Sequence, residues 1–136
     1  MYKEVTENIK KEAQRLGVTF EVQNMANKPG VEGVFLPQEN KIVLIPECLE
    51  ETICHEVIHF IQLNFSILIF GDEEKAELSL NKKYVSLWGH FFSEQEVIET
   101  ASAIMNVYDH AVVRYEIAAY LLQDYPEDIL DILKSL

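Results

Sequence analysis

The run His55-Glu56-Val57-Ile58-His59 carries the clearest chemistry in the chain. Two histidines four positions apart share one face of a helix, with Cβ atoms about 6 Å apart. Two imidazole nitrogens at that spacing can reach one Zn²⁺ at about 2.0–2.1 Å. Glu56 stands next to the first histidine, where it can contact a water on the metal without being a ligand. A metal there lowers the pKa of the water and polarises a carbonyl. Glu56 can take the proton of that water and pass it to a leaving amine. The positions around the motif, from Thr52 to Ile61, are otherwise uncharged. That suits a buried helix at the floor of a cleft. The competing reading is two histidines on an ordinary core helix with a solvent-facing glutamate, an arrangement that is costly for buried imidazoles without partners.

The elements that must position this run follow from periodicity and breakers. Residues 2–16 read as a helix with Val5, Ile9, Ala13 and Leu16 on one stripe, ended by Gly17. Val18–Val22 alternates as a strand, and residues 24–33 form a loop rich in Asn, Pro and Gly. Val34–Leu36 and Lys41–Ile45 flank Pro37-Gln38-Glu39-Asn40 and read as a hairpin closed by Pro46. A helix is expected from Glu47 to about Leu63, with Phe70 as its furthest extension, and a charged, exposed helix over 72–84. Ser93 and Glu96 form a capping box for a helix from 94 to about 106. Tyr108-Asp109-His110 interrupts before a further helix over Ala111–Gln123. Pro126, Glu127 and Asp128 open the last helix, with Ile129, Leu130, Ile132 and Leu133 facing inward. The expectation is one α+β domain over 1–136: an N-terminal helix, a small antiparallel sheet or hairpin, the histidine-bearing helix, then C-terminal helices.

A hairpin feeding an HExxH helix resembles the zincin metallopeptidases. The metzincin branch requires HExxHxxGxxH, and here position 62 is Gln and position 65 is Phe. Peptide deformylases pair HExxH with a cysteine far upstream. Cys48 is only superficially similar, because it sits close before His55 on or beside the same helix. Gluzincins take a glutamate from a later helix, and this branch fits. Glu116 is the only acid in the apolar stretch Ala111–Leu122, on a face with Val112, Val113, Ile117 and Tyr120 that periodicity turns inward. A lone buried carboxylate is costly unless it is paired or on a metal. Glu116-Ile117-Ala118-Ala119, followed by Leu121-Leu122 and Pro126, is similar to a stretch of the ImmA/IrrE-type regulatory peptidases and of the small minigluzincins. The resemblance implies a zincin-like fold and zinc bound by His55, His59 and Glu116. Glu73, Glu74 and Glu77 are rival third ligands, closer in sequence to His59, and a salt bridge to Arg114 or another base is the alternative role for Glu116. A gluzincin also has a His or Tyr donor to the oxyanion. His110 and Tyr120 are the candidates carried forward, with His90 and Tyr115 beside them.

Composition narrows the partners. Eleven basic residues against 23 acidic ones give a net charge of −12, which repels a phosphate backbone or an anionic membrane. A SprT-like, DNA-linked protease is disfavoured on the same ground. The longest nearly apolar stretch, Leu63–Phe70, is far short of the roughly 20 residues of a membrane-spanning helix. The polar start lacks a signal-peptide core, so the cytoplasm is the expected compartment. Cys48 and Cys54 on one helix would be about 9 Å apart, too far for a disulfide. Trp88-Gly89-His90-Phe91-Phe92 reads as core, a hinge or a pocket wall. The expected function is a small zinc peptidase acting on a peptide or protein. The alternative is a zincin-fold, zinc-stabilised binding or regulatory module without useful catalysis.

Overall fold

The computed structural model describes residues 2–24, 31–65, 84–87, 90–104 and 110–136. Among these, five helices accompany a three-stranded sheet and a separate two-stranded hairpin.

Helix α1 (Tyr2–Arg15) buries Ile9 and Ala13 and half-buries Val5, the apolar stripe read from its sequence. Gly17 ends it with φ +113, a conformation open to glycine but strained for a side chain. Strands β1 (Thr19–Val22), β2 (Gly33–Leu36) and β3 (Lys41–Leu44) follow. β3 is central, and its Ile42, Val43 and Leu44 are buried. β2 and β3 form the expected antiparallel hairpin. Its turn ends at Asn40, whose φ of 50 suits asparagine. The Asn40 amide donates to the Gly17 carbonyl at 3.0 Å, which ties the hairpin tip to the end of α1.

The sheet is mixed rather than antiparallel, because β1 runs parallel to β3. The chain between β1 and β2 crosses to the far side of β3, so the order is β1-β3-β2. β2 is therefore an edge strand. Glu32 accepts the Ile45 N–H at 2.9 Å, which sets the alternation of the antiparallel ladder. Gly33 and Phe35 consequently turn their backbone groups toward the open edge.

Helix α2 (Glu50–Asn64) carries the HExxH run. It buries Ile53, Cys54, Val57, Ile58, Phe60 and Ile61, so apolar side chains cover most of its circumference, as in a helix enclosed by its neighbours. It packs on β2 and α1 and on the later helix His110–Leu122. It begins three residues later than expected, after Pro46-Glu47-Cys48, where Glu47 holds a left-handed φ of 60. It ends at Asn64 and does not reach Phe70, since Phe65 already leaves helical geometry as its C-cap.

The proposed helix over 72–84 lies outside the described residues, except that Tyr84 belongs to a strand. β4 (Tyr84–Leu87) and β5 (His90–Ser93) form a hairpin at the aromatic segment that reads as core, a hinge or a pocket wall in the sequence. Tyr84 and Val85 on one strand and Phe91 and Phe92 on the other are residue types that favour strands, and Val85 pairs with Phe92 across the ladder. Helices α3 (Glu94–Ile104), α4 (His110–Leu122) and α5 (Pro126–Ser135) complete the fold. Of the expected interruption, Tyr108 and Asp109 lie outside the described residues, and His110 already belongs to α4 as its first residue. α5 starts with Pro126 in its first turn and buries Ile129 and Leu133 against α1, where Arg15 donates to the Leu133 carbonyl at 3.1 Å. Cys48 and Cys54 are free thiols, the second fully buried. No described helix is long and apolar enough to cross a membrane.

Candidate metal centre

Helix α2 presents His55 and His59 toward α4, with ring centroids 4.9 Å apart and planes nearly perpendicular. Their Nε2 atoms lie 3.2 Å apart. Helix α4 brings Glu116 against both. Glu116 Oε2 is 3.0 Å from His55 Nε2, and Oε1 is 2.7 Å from His59 Nε2. These three side chains form a group that could hold a metal ion. Glu116 thus faces the imidazoles. Glu73, Glu74, Glu77 and the Arg114 side chain lie outside the described residues.

Two glutamines set the orientation of the imidazoles. His55 Nδ1 donates to Gln123 Oε1 at 2.9 Å, and His59 Nδ1 donates to Gln62 Oε1 at 2.8 Å. The Gln62 amide is buried, and its Nε2 donates to the Tyr115 carbonyl at 3.3 Å. That bond leaves its oxygen for His59. With each Nδ1 hydrogen committed to an amide oxygen, each Nε2 presents its lone pair to the shared point. Three electron-pair donors 2.7–3.2 Å apart repel one another unless a cation, a proton or a metal, lies among them. Donors around a tetrahedral Zn²⁺ with bonds of about 2.0–2.1 Å are about 3.3 Å apart, so the donor set fits such an ion after a small expansion.

The charges respond to this packing. Burial alone would raise the Glu116 pKa, but the two imidazoles outweigh it and hold the carboxyl at about 2. Burial works against a charged His59, yet hydrogen bonding and charge from Glu116 raise its pKa above the ordinary 6.5. Burial also raises Glu56, opposed by the nearby histidines. The Glu56 carboxylate accepts the Phe35 backbone N–H from the open edge of β2.

Two hollows flank the group. One, of about 390 Å³, runs along Glu32, Leu49, Thr52 and Tyr120. The other, of about 430 Å³, runs along Phe35, Pro37, Leu63 and Tyr115. Both include Gly33, His55 and Glu56, so Glu56 stands where they meet. Gly33 is needed there by close approach: a Cβ would lie 2.9 Å from Thr52 Cγ2 and 3.0 Å from Leu44 Cδ2.

Of the oxyanion candidates, Tyr120 sets its ring edge-on to His55 at 4.5 Å between centroids. It is 36% exposed at the rim rather than turned inward, because α4 buries Ile117, Ala118, Leu121 and Leu122 instead. His110 is the first residue of α4 and His90 the first of β5, and their side chains lie outside the described part. Tyr115 lines the second hollow. Gln62 and Gln123 were not singled out from the sequence. In the sequence Gln62 serves only to exclude the metzincin pattern, although an amide one turn after His59 on a mostly apolar helix is itself a signal.

No protein-family model matches the chain, and no significant match to a curated protein or to a solved structure was found.

Proposed function

We propose that the chain is a zinc-dependent peptidase of gluzincin type. The observation that carries this reading is the convergence of His55 Nε2, His59 Nε2 and the Glu116 carboxylate beside Glu56, at the junction of two hollows. Zn²⁺ held by those three side chains would supply a Lewis acid that polarises a peptide carbonyl and makes water more acidic. Glu56 accepts the proton of the attacking water on its carboxylate and delivers it to the nitrogen of the leaving amine. Its place next to His55 and outside the ligand group suits that task.

The open edge of β2 supports the choice of an extended peptide as substrate. Gly33 N–H, Gly33 C=O and Phe35 C=O face the edge of β2 that has no strand partner among the described residues and would take up a strand there, while Glu56 holds the Phe35 N–H. The hollow beside Phe35, Leu63 and Tyr115 suits an apolar side chain of that peptide. The Tyr120 phenol, at the rim beside His55, is a candidate for a donor to the developing oxyanion. The net charge of −12 supports a protein or peptide substrate over nucleic acid.

The test is metal analysis of protein purified without added metal, combined with a peptide-hydrolysis assay. About one zinc per chain and zinc-dependent cleavage are expected. Metal-free protein that gains neither stability nor activity from Zn²⁺ would overturn the reading.

A further inference from the structure

The two glutamines do more than satisfy two ring hydrogens. Gln62 belongs to α2, and its amide joins His59 to the α4 backbone at Tyr115, the residue before Glu116. Gln123 follows the last turn of α4 and reaches back to His55 on α2. The two amides therefore cross between the same pair of helices in opposite directions, Gln62 to the Tyr115 carbonyl and Gln123 to His55, and each accepts from a different imidazole. α2 supplies two donors to the group and α4 the third, so the spacing of these helices sets the spacing of the donors.

We propose that Gln62 and Gln123 form a cross-brace that positions the metal site: each fixes one imidazole with Nε2 toward Glu116 and holds α2 to α4 at the ligand spacing. This rests on the metal reading above but not on peptidase activity. Both braces are neutral, whereas histidine ligands often lean on a carboxylate. Glu116 is then the only anionic member of the donor group. The imidazoles lack the added basicity that a carboxylate partner would give them.

Gln62→Met and Gln123→Met keep the side-chain length and the packing but remove the acceptor. In the zinc-loaded protein, ¹H–¹⁵N spectra should show an exchange-protected Nδ1–H proton on each of His55 and His59. Gln62→Met should lose only the His59 proton, and Gln123→Met only the His55 proton. Zinc affinity, read by competition with a chromophoric chelator, should fall about 10–100-fold in each. Gln123→Glu, which keeps an acceptor, should restore both the proton and the affinity. A purely structural role would lower thermal stability without removing one named ring proton. If both protons persist in the variants, or affinity stays within about 2-fold of the parent, the cross-brace is refuted. If the unsubstituted protein binds no zinc, the metal reading itself falls and the proposal with it.

Discussion

Gly33 of β2 sits so close to Thr52 of α2 that a Cβ on the glycine would come within 2.9 Å of Thr52 Cγ2. Strand and helix thus meet through a missing side chain, at the point both hollows share. Gly33→Ala is expected to force them apart and destabilise the protein by about 1–3 kcal/mol, as overpacking typically does. Thr52→Ser in the same chain removes the methyl group and should recover much of the loss. Chemical denaturation measures both. An alanine variant as stable as the parent would contradict this account of how the strand lies on the helix.

Glu116 is the one described carboxylate facing both imidazoles. Glu116→Ala should reduce zinc affinity by more than the roughly 10–100-fold typical of losing an outer contact. Changes at Glu73, Glu74 or Glu77 should leave zinc binding intact. Retention of zinc by the Glu116 variant, with loss in one of the other three, would move the third ligand to a different segment.

The pH dependence of stability should have opposite signs with and without metal. In the metal-free protein, Glu116 is lowered from 4.5 to about 2, so its contribution is present above 4.5 and lost as the pH falls toward 2. His59 is raised above 6.5, so its contribution is present below 6.5 and fades as the pH rises through the raised value. Their contact therefore stabilises most between those two ordinary values and weakens toward alkaline pH. Zinc requires an unprotonated Nε2, so the stabilisation it adds should grow as the pH rises over the same range. Thermal unfolding with zinc and with a chelator measures both trends. Parallel trends would contradict the assignment of His59 Nε2 as both the partner of Glu116 in the metal-free protein and a ligand of the metal.

The parts of this arrangement that rest on local spacing were legible in the sequence. His55 and His59 lie one helical turn apart, and Glu116 is a lone acid among apolar residues, so spacing and burial single them out. The hairpin of β2 and β3 announced itself through Pro37-Gln38-Glu39-Asn40. The parallel pairing of β1 with β3 did not, because the partner of a strand is set by where the chain crosses, not by the strand's own residues. The hairpin at Tyr84–Ser93 was hidden by its density of aromatics, which suits core as well as strand. Gln62 and Gln123 were hidden because a neutral amide carries no charge to mark it. Their importance depends on helices that meet only in the folded chain.

The central claim is that Glu56 performs the proton transfers of a zinc-dependent peptide hydrolysis. The most direct measurement compares cleavage of a mixed peptide library by zinc-loaded parent and zinc-loaded Glu56→Gln, at matched zinc content. Gln preserves the size of the side chain but cannot accept the proton of water. The account predicts cleavage by the parent, at least about 100-fold slower cleavage by the variant, and equal zinc binding by the two. Equal cleavage by both proteins, or a zinc-loaded parent that binds peptides and cleaves none, would contradict it.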